Sequence, residues 1–168
     1  MAPVRRKAGC SKLAESTRSP PLLLGNRAIP LDATFLDKHA RANWTVPGHQ
    51  DRVVAVATTT ASKHRIRGGI AYAELDAKTL AGLVALRVHF DPTDGETGAL
   101  CVVPGSHLNG VMPNGQILNV PLDQYVPCAA GAGDVLILRP LLLHRSSPSR
   151  GEGQRRVLHD VYGTQELT

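Results

Sequence analysis

The chain consists largely of short β-rich segments, each closed by a turn. Runs of Val, Ile and Leu are bounded by Gly-, Pro- and Asp-containing turns such as those at 91–95 and 130–134. No segment has the sustained 3.6-residue periodicity of a long amphipathic helix. The pattern predicts a mainly all-β fold with few short helices, a sandwich or barrel for which a jelly roll is the leading candidate. The predicted strands cover residues 53–57, 83–90, 100–103, 117–120, 135–138 and 157–162.

The domain boundaries follow from where this pattern begins. Residues 1–27 are basic, contain Ser19-Pro20-Pro21 and lack periodicity, so we expect a poorly ordered arm. One domain is expected over 28–168, because a chain of 168 residues with 42% hydrophobic content can bury a single core. Within it, the polar and basic segment 58–69 is interpreted as a mobile loop. A solvated surface connection is favoured there over a substrate lid.

Composition argues against several kinds of partner. Aromatic residues make up 4% of the chain and part of the +5 net charge lies in the arm, so nucleic-acid binding is not expected. The three cysteines show no disulfide or zinc spacing, which fits a reducing cytoplasm. The apolar runs are too short to span a bilayer, and no targeting signal is visible. We therefore expect a cytoplasmic protein without a membrane partner, of undetermined oligomeric state.

Two His-x-Asp pairs are candidates for part of a metal site. In His49-Gln50-Asp51, residues two apart on a strand project to the same face, so an imidazole and a carboxylate can converge. His89-Phe90-Asp91 has the same spacing, although its Asp also begins a turn with a local hydrogen-bonding role. His144, after the apolar run 141–143, offers a third ligand near the end of a core strand. Two histidines and a carboxylate form the facial triad of non-haem Fe(II) oxygenases, and the residues alone leave both pairs open.

A pair of arginines after His144 is a candidate anion site. An oxygenase of this kind holds a dicarboxylate co-substrate, whose far carboxylate requires a bidentate Arg on a rigid element. Arg155 and Arg156 precede a short apolar strand, and only one of them can face inward. Solvent exposure of both is the more frequent outcome for an arbitrary pair. Ser146 lies two residues after His144, shares its face and can add a hydrogen bond.

Several blocks of the chain, in order, resemble the phytanoyl-CoA dioxygenase family. Residues 43–51 (Asn-Trp-Thr-Val-Pro-Gly-His-Gln-Asp) resemble the N-W-x-V-P-W-H-Q-D signature of its bacterial members. Residues 98–110 look like its G-A-L-x-V-x-P-G-S-H-x-x-G block, 86–91 like its central strand, and 133–144 with 155–159 like its closing portion. The resemblance implies a double-stranded β-helix, a jelly-roll variant, over residues 28–168.

The family's functional residues carry over onto matching positions of this chain. The resemblance implies that His49, Asp51 and His144 bind iron and that Arg155 binds 2-oxoglutarate, which favours the first His-x-Asp pair over the second. It implies a dioxygenase that uses Fe(II), 2-oxoglutarate and O2 to hydroxylate a small organic metabolite and releases succinate and CO2. The carboxylate at Asp51 favours hydroxylation over halogenation, because related halogenases have a small residue there.

Two departures from the family pattern support an alternative. Gly48 stands where the family usually has an aromatic residue, and the segment before His49 is short. The alternative is a non-catalytic or degenerate jelly-roll binding protein of the same family.

Overall fold

The computed structural model describes residues 24–25, 28–56, 64–151 and 153–164, in which antiparallel strands dominate and the helices are short. The strands are β1 (Ala28–Lys38), β2 (Val46–His49), β3 (Val53–Val56), β4 (His64–Arg67), β5 (Ile70–Glu74), β6 (Val84–His89), β7 (Leu100–Val102), β8 (Val126–Cys128), β9 (Val135–Leu138), β10 (His144–Ser146) and β11 (Arg155–Thr164). The helices are α1 (Ala77–Gly82) and α2 (Asn114–Leu118), with 3-10 turns η1 (Ser106–Asn109) and η2 (Leu122–Gln124).

Two four-stranded antiparallel sheets form the body of the fold. Their strand orders are β1-β11-β6-β9 and β2-β10-β7-β8, and the chain passes repeatedly from one sheet to the other. Side chains from both sheets line one cavity between them. This is the expected jelly roll, so the prediction of a mainly β fold with few short helices is confirmed. A smaller sheet, β3-β5-β4, lies beside the cavity and contributes to its rim.

The apolar core consists of two clusters that flank the cavity. One cluster joins the first sheet to helix α1, whose Leu80 is fully buried. Asp76 caps this helix by accepting a hydrogen bond from the Thr79 amide, 3.0 Å away. The second cluster lies in the other sheet, around Leu100 and Val102. Burying each such Leu contributes about 1.5–3 kcal/mol, so the clusters hold the two sheets around a polar interior.

The polar interior is clearest on β6. Ala85, Arg87 and His89 are buried on the inner face of this strand, whereas Leu86 and Val88 on the other face are only half-buried. A sequence-based assignment would place the apolar face inward. In this protein the face of β6 that carries Arg87 and His89 is turned inward instead. The reason is that the space between the sheets holds polar groups, and the apolar packing lies at the ends of that space.

Two local predictions are wrong. Residues 117–120 do not form a strand, because helix α2 begins after Pro113 and ends at Leu118. Only Ile117 of this segment packs inward, while Leu118 is 79% exposed, so the apolar residues do not share one face. The predicted loop 58–69 is in part strand β4, which pairs with β5, and residues 58–63 lie outside the described residues.

The arm predicted for residues 1–27 lies outside the described residues except for 24–25, and the domain division stays a prediction. Strand β1 begins at Ala28, where the domain was expected to start. In the part of the chain that the structure describes, no helix has the length and apolar character needed to cross a membrane.

Candidate metal centre

His49 and His144 lie side by side where β2 pairs with β10. His144 pairs with His49 and Ser146 pairs with Val46. Two residues of advance on β10 thus correspond to three on β2, so β2 contains one extra residue. Such a bulge changes the alternation of side chains along a strand. Val46 and His49, which a regular strand would point to opposite faces, therefore line the same cavity. The centroids of the two imidazole rings are 4.2 Å apart.

Asp51 lies beyond the end of β2, rather than on a strand as the two-residue spacing suggests. Its backbone amide donates to the Pro140 carbonyl at 2.9 Å, which fixes the turn after the strand. The carboxylate thereby comes within 3.4 Å of Nε2 of His49 and 3.6 Å of Nε2 of His144. The structure thus brings the three predicted ligands together by a different local geometry.

The buried side chain of Gln50 supports this turn. Its amide nitrogen donates to the carbonyls of Gly110 at 2.9 Å and Leu141 at 2.7 Å, and its amide oxygen accepts from the Met112 amide at 2.8 Å. Two distant segments, one around Gly110 and Met112 and one at Leu141, are therefore tied to the residue between the two candidate ligands. This role follows from the fold and has no signal in the sequence beyond the position of Gln50 in the motif.

Both imidazoles are oriented for metal binding. Nδ1 of His49 donates to the Pro47 carbonyl at 2.9 Å, and Nδ1 of His144 donates to the Leu142 carbonyl at 2.8 Å. A carbonyl partner requires the proton on Nδ1, so in the neutral form of each ring Nε2 has its lone pair on the side of Asp51. One ligating atom from each of the three side chains lies within 4.8 Å of the others. Two imidazoles and one carboxylate suit a divalent transition metal with open coordination positions.

The charges at the centre are strongly coupled. Burial opposes ionisation of Asp51, but His144 and His49 outweigh it and hold the pKa of Asp51 well below its usual range. Burial lowers the pKa of His144 to about 4, so this ring is neutral at pH 7. Burial also disfavours the charged form of His49, but the hydrogen bond to Asp51, the charge of Asp51 and the hydrogen bond to Pro47 together outweigh burial and raise the pKa of His49. Protons therefore compete with a metal mainly at His49.

The second His-x-Asp pair does not form a comparable site. Nδ1 of His89 lies 3.4 Å from the Thr93 hydroxyl, while Asp91 binds the Arg156 guanidinium with contacts of 2.8 and 2.9 Å. The predicted local turn role of Asp91 is replaced by this contact with the neighbouring strand. Asp94 accepts the turn's hydrogen bonds instead. Across the described ranges, His49, Asp51 and His144 are the group of side chains whose geometry could hold a metal.

The space that an aromatic residue next to the first ligand would need is filled from elsewhere in the fold. A Cβ at Gly48 would collide with the Tyr125 hydroxyl and would lie 3.6 Å from Ile117. Tyr125 follows η2, and Ile117 belongs to α2. The segment between β7 and β8 therefore fills the space beside Gly48.

Arg155 and Arg156 face opposite sides of β11. Arg155 is 2% exposed, lines the cavity and donates from Nη1 to the Gly98 carbonyl at 2.8 Å, while its buried Nε has no hydrogen-bond partner. Arg156 binds Asp91 on the outside of the sheet. Gly98 has φ of 71°, and a Cβ there would lie 2.5 Å from the Ser147 carbonyl oxygen, so glycine is required next to Arg155.

Lys38 is a buried cation that the sequence did not single out. Its Nζ donates to the Ser146 hydroxyl at 3.0 Å and to the Ser147 carbonyl at 2.9 Å. Burial and the charge of Arg155 lower the pKa of Lys38 to about 8. Burial likewise lowers the pKa of Arg155 to about 10. Ser146 therefore lies next to the buried Lys38, whose register partner on β11 is Arg155.

Two further inward residues, His159 and Arg87, were not predicted. Nε2 of His159 lies 3.6 Å from Oδ2 of Asp51, and its buried Nδ1 has no partner. Arg87 lies opposite His159 in the pairing of β6 with β11, and both line the cavity. The signal for His159 was the alternation on β11, where Arg155, Val157 and His159 share a face.

The cavity itself has a volume of about 650 Å³, and residues of the small sheet line it together with residues of both large sheets. Its lower part contains the candidate metal ligands with Arg87, Arg155 and His159. At its rim lie residues of β1, β4 and β5: Asp32, His64, Arg65, Arg67, Tyr72 and Glu74. The segment interpreted as a solvated loop therefore contributes in part to the cavity wall.

Comparison with known families gives one match that covers most of the chain. The sequence model of the phytanoyl-CoA dioxygenase (PhyH) family matches residues 21–157. A search of curated proteins gives no match.

Several solved structures have a similar fold. EvdMO1 is 23% identical, with a TM-score of 0.64, over 87% of this chain and 29% of its own. The non-haem α-ketoglutarate-dependent epimerase SnoN from nogalamycin biosynthesis is 20% identical, with a TM-score of 0.59, over 86% of this chain and 50% of its own. HygX from Streptomyces hygroscopicus, with nickel and 2-oxoglutarate bound, is 19% identical, with a TM-score of 0.55, over 84% of this chain and 60% of its own. At these identities the similarity establishes the fold alone. The chain covers 29% to 60% of the length of these three proteins.

Proposed function

This chain belongs to the phytanoyl-CoA dioxygenase family, and from that premise we propose that it is an Fe(II)/2-oxoglutarate-dependent dioxygenase that hydroxylates a small organic metabolite. The observation that carries the proposal is the convergence of His49, Asp51 and His144 within 4.8 Å, with Nε2 of both rings on the side of the carboxylate. Three protein ligands on one side leave positions for a chelating co-substrate and for O2.

Under this proposal, Fe(II) is held by Nε2 of His49, Nε2 of His144 and a carboxylate oxygen of Asp51. When bound, the iron supplies the redox chemistry by which O2 converts 2-oxoglutarate to succinate and CO2 and a C–H bond of the substrate to C–OH. The backbone carbonyls of Pro47 and Leu142 keep the ring protons on Nδ1 and so maintain both imidazoles as ligands. His159 stays beside Oδ2 of Asp51, where Nε2–H can orient the carboxylate.

The far carboxylate of 2-oxoglutarate is assigned to Arg155, with Lys38 and Ser146 beside it. The Nε of Arg155 is buried without a partner, and no carboxylate lies within 4 Å of either cation among the residues that the structure describes. A buried guanidinium left unpaired is costly, and a carboxylate ligand would satisfy it. The bound nickel and 2-oxoglutarate in HygX support this co-substrate class.

Hydroxylation is the proposed reaction because Asp51 supplies a carboxylate where a halogenase would have a small residue. SnoN is an epimerase, so the fold also serves other outcomes. The second candidate is a binding protein of the same family without turnover, for which Gly48 was one supporting feature. Tyr125 and Ile117 fill the space beside Gly48, so this feature no longer favours the second candidate.

The test is succinate formation from 2-oxoglutarate by the purified chain with added Fe(II) under air. We expect uncoupled turnover, a loss of at least about 100-fold in His144→Ala, and a similar loss at low 2-oxoglutarate in Arg155→Met. His89→Ala is the matched control, because it removes the histidine of the other pair and should retain turnover. Iron binding without succinate would favour the binding protein. Equal iron affinity of His144→Ala and the parent would exclude the assigned centre.

A further inference from the structure

Arg87 is a buried guanidinium for which the proposed reaction has no role. It is 6% exposed and lines the cavity beside the candidate metal ligands. Within the described part of the chain, no carboxylate lies within 4 Å of it and no protein group accepts its hydrogen bonds. Several other buried or half-buried arginines do have such partners, since Arg52 binds Glu74, Arg139 binds two backbone carbonyls and Arg155 binds the Gly98 carbonyl. The half-buried Arg145 stacks on the Tyr125 ring, 5.7 Å from its centroid.

The charge of Arg87 reaches several groups of the interior. It acts on the groups around the cavity and lowers the pKa of His144, of Arg155 and of Lys38, in each case after burial or a nearer charge. Asp51 is the interior carboxylate that opposes it, but its oxygens are directed toward His49, His144 and His159. A buried guanidinium without a paired anion is costly, and an anionic ligand would offset that cost.

The balance of charge leaves room for one more anion after the co-substrate has bound. Among the residues that the structure describes, Lys38, Arg87 and Arg155 are buried cations of the interior, and Asp51 is the carboxylate that lies among them, while Asp32 and Glu74 lie at the rim. A divalent metal and the dicarboxylate 2-oxoglutarate cancel each other's charge. The interior therefore remains positive when both are present, and a further carboxylate would reduce that charge.

Arg87 and Arg155 occupy different parts of the cavity. Arg87 is opposite His159 in the strand register, and Arg155 precedes His159 by four residues on β11. Four residues of a strand correspond to about 13 Å. Arg155 lies at the end of the sheet near Ser146 and Gly98, whereas Arg87 enters beside the residue that contacts Asp51. A carboxylate bound to Arg87 would thus lie closer to the candidate metal ligands than a carboxylate bound to Arg155.

We propose that Arg87 binds a carboxylate of the primary substrate, so that the substrates of this enzyme are carboxylic acids. The inference rests on the proposed dioxygenase function, because it names the substrate class of the same site. The rim is consistent with an anionic ligand: Arg65 and Arg67 line the entrance, and Glu74 there is bound by Arg52 at 3.4 Å. Asp32 is the remaining rim carboxylate, 3.4 Å from the Tyr72 hydroxyl.

The test measures binding rather than turnover. The protein is loaded with Ni(II) and 2-oxoglutarate, and hexanoate and benzoate are titrated by calorimetry against hexanamide and benzamide. We expect each carboxylate to bind at least about tenfold more tightly than its amide, and this preference to vanish in Arg87→Met. Arg87→Lys should retain part of it, because the charge remains but the planar fork is lost. Arg150→Met, which removes an exposed arginine far from the cavity, should bind as the parent does.

The carboxylate that binds Arg87 could instead belong to 2-oxoglutarate. The affinity of the Arg87→Met variant for 2-oxoglutarate distinguishes this alternative from binding of the primary substrate. We expect Arg87→Met to bind 2-oxoglutarate within about twofold of the parent, whereas a tenfold loss would assign Arg87 to the co-substrate and overturn the proposal. Carboxylates that bind the parent no better than amides would overturn it as well. Arg87→Met should fold, with an unchanged or higher Tm without ligands, since it removes an uncompensated buried charge.

Failure of the dioxygenase function is recognised separately, as absence of 2-oxoglutarate binding to the metal-loaded parent. The carboxylate and amide titrations are then made in Arg155→Met without 2-oxoglutarate. In Arg155→Met, a preference for carboxylates over amides that depends on Arg87 supports carboxylate binding at Arg87. The absence of such a preference contradicts the proposal.

Discussion

At the scale of single residues, the candidate metal centre is distinguished by what its neighbours bind. His49 and His144 each have Nδ1 tied to a backbone carbonyl two residues earlier, and Asp51 is left to face both rings. Asp91 has the same spacing from a histidine, but Arg156 occupies its carboxylate. The chemistry of a His-x-Asp pair therefore depends on partners that lie far away in sequence.

Metal affinity should depend on pH mainly through His49. Burial lowers the pKa of His49, but the hydrogen bond and charge of Asp51 together with the Pro47 carbonyl outweigh burial and raise this pKa above 6.5, whereas the pKa of His144 is lowered to about 4. As the pH falls below the pKa of His49, a metal must displace one proton, and the logarithm of the apparent affinity should fall by about one per pH unit. Calorimetric titration with Ni(II) between pH 5 and 8 measures this slope. A slope near two would mean that a second histidine is also protonated, contrary to the low pKa of His144.

At the scale of elements, a bulge and a loop decide the shape of the centre. The bulge in β2 turns Val46 and His49 to the same side, and the segment from α2 to β8 places Tyr125 against Gly48. The space beside Gly48, where the family usually has an aromatic residue, is thereby occupied by Tyr125. Glycine at position 48 is a packing requirement of Tyr125, because a Cβ there would meet its hydroxyl.

A double-mutant cycle tests this packing. Gly48→Ala should lower the free energy of unfolding by about 1–3 kcal/mol, because its Cβ collides with the Tyr125 hydroxyl. In the Tyr125→Phe background the nearest atom becomes Cζ at 3.4 Å, so the same substitution should cost less than about 0.5 kcal/mol. Urea unfolding of the parent, both single variants and the double variant gives the coupling. An equal cost of Gly48→Ala in both backgrounds would show that Tyr125 is not the obstacle.

At the scale of the whole molecule, the two sheets enclose polar and charged groups while apolar packing is concentrated in two clusters beside them. His89 belongs to this interior at 1% exposure. Burial, together with the charges of Arg87 and Arg155, lowers its pKa to about 4. The fold therefore keeps this histidine neutral where the unfolded chain would take up a proton.

Global stability should consequently decrease on acidification. Between the unfolded pKa of about 6.5 and the folded value of about 4, the unfolded state binds the extra proton at His89, so stability falls as the pH falls through this window. The contribution of His89 amounts to about 2 kcal/mol between pH 7 and pH 5. Urea unfolding of the metal-free protein at pH 7 and pH 5 measures the loss of the free energy of unfolding. This loss should be smaller by about 2 kcal/mol in His89→Gln than in the parent. The same loss in both proteins would mean that His89 is not held neutral.

The sequence alone determined the properties that depend on residue type and local spacing. These are the β-rich segments and their turns, the motif around His49, and the position of Arg155 after His144. It misassigned residues 117–120, because a short apolar run has no periodicity that separates a strand from one helical turn. It also placed Asp51 on a strand that ends at His49.

The tertiary structure decided which of these residues share a site. The inward direction of Arg155, the partner of Asp91, and the approach of Lys38, Arg87 and His159 to one interior all depend on register between strands that are remote in sequence. Since each strand points alternate residues to opposite sides, one bulge or one step of register reverses the assignment. Residue types and spacings fixed the candidates, whereas strand pairing selected among them, because the distances between side chains exist only once the sheets have closed.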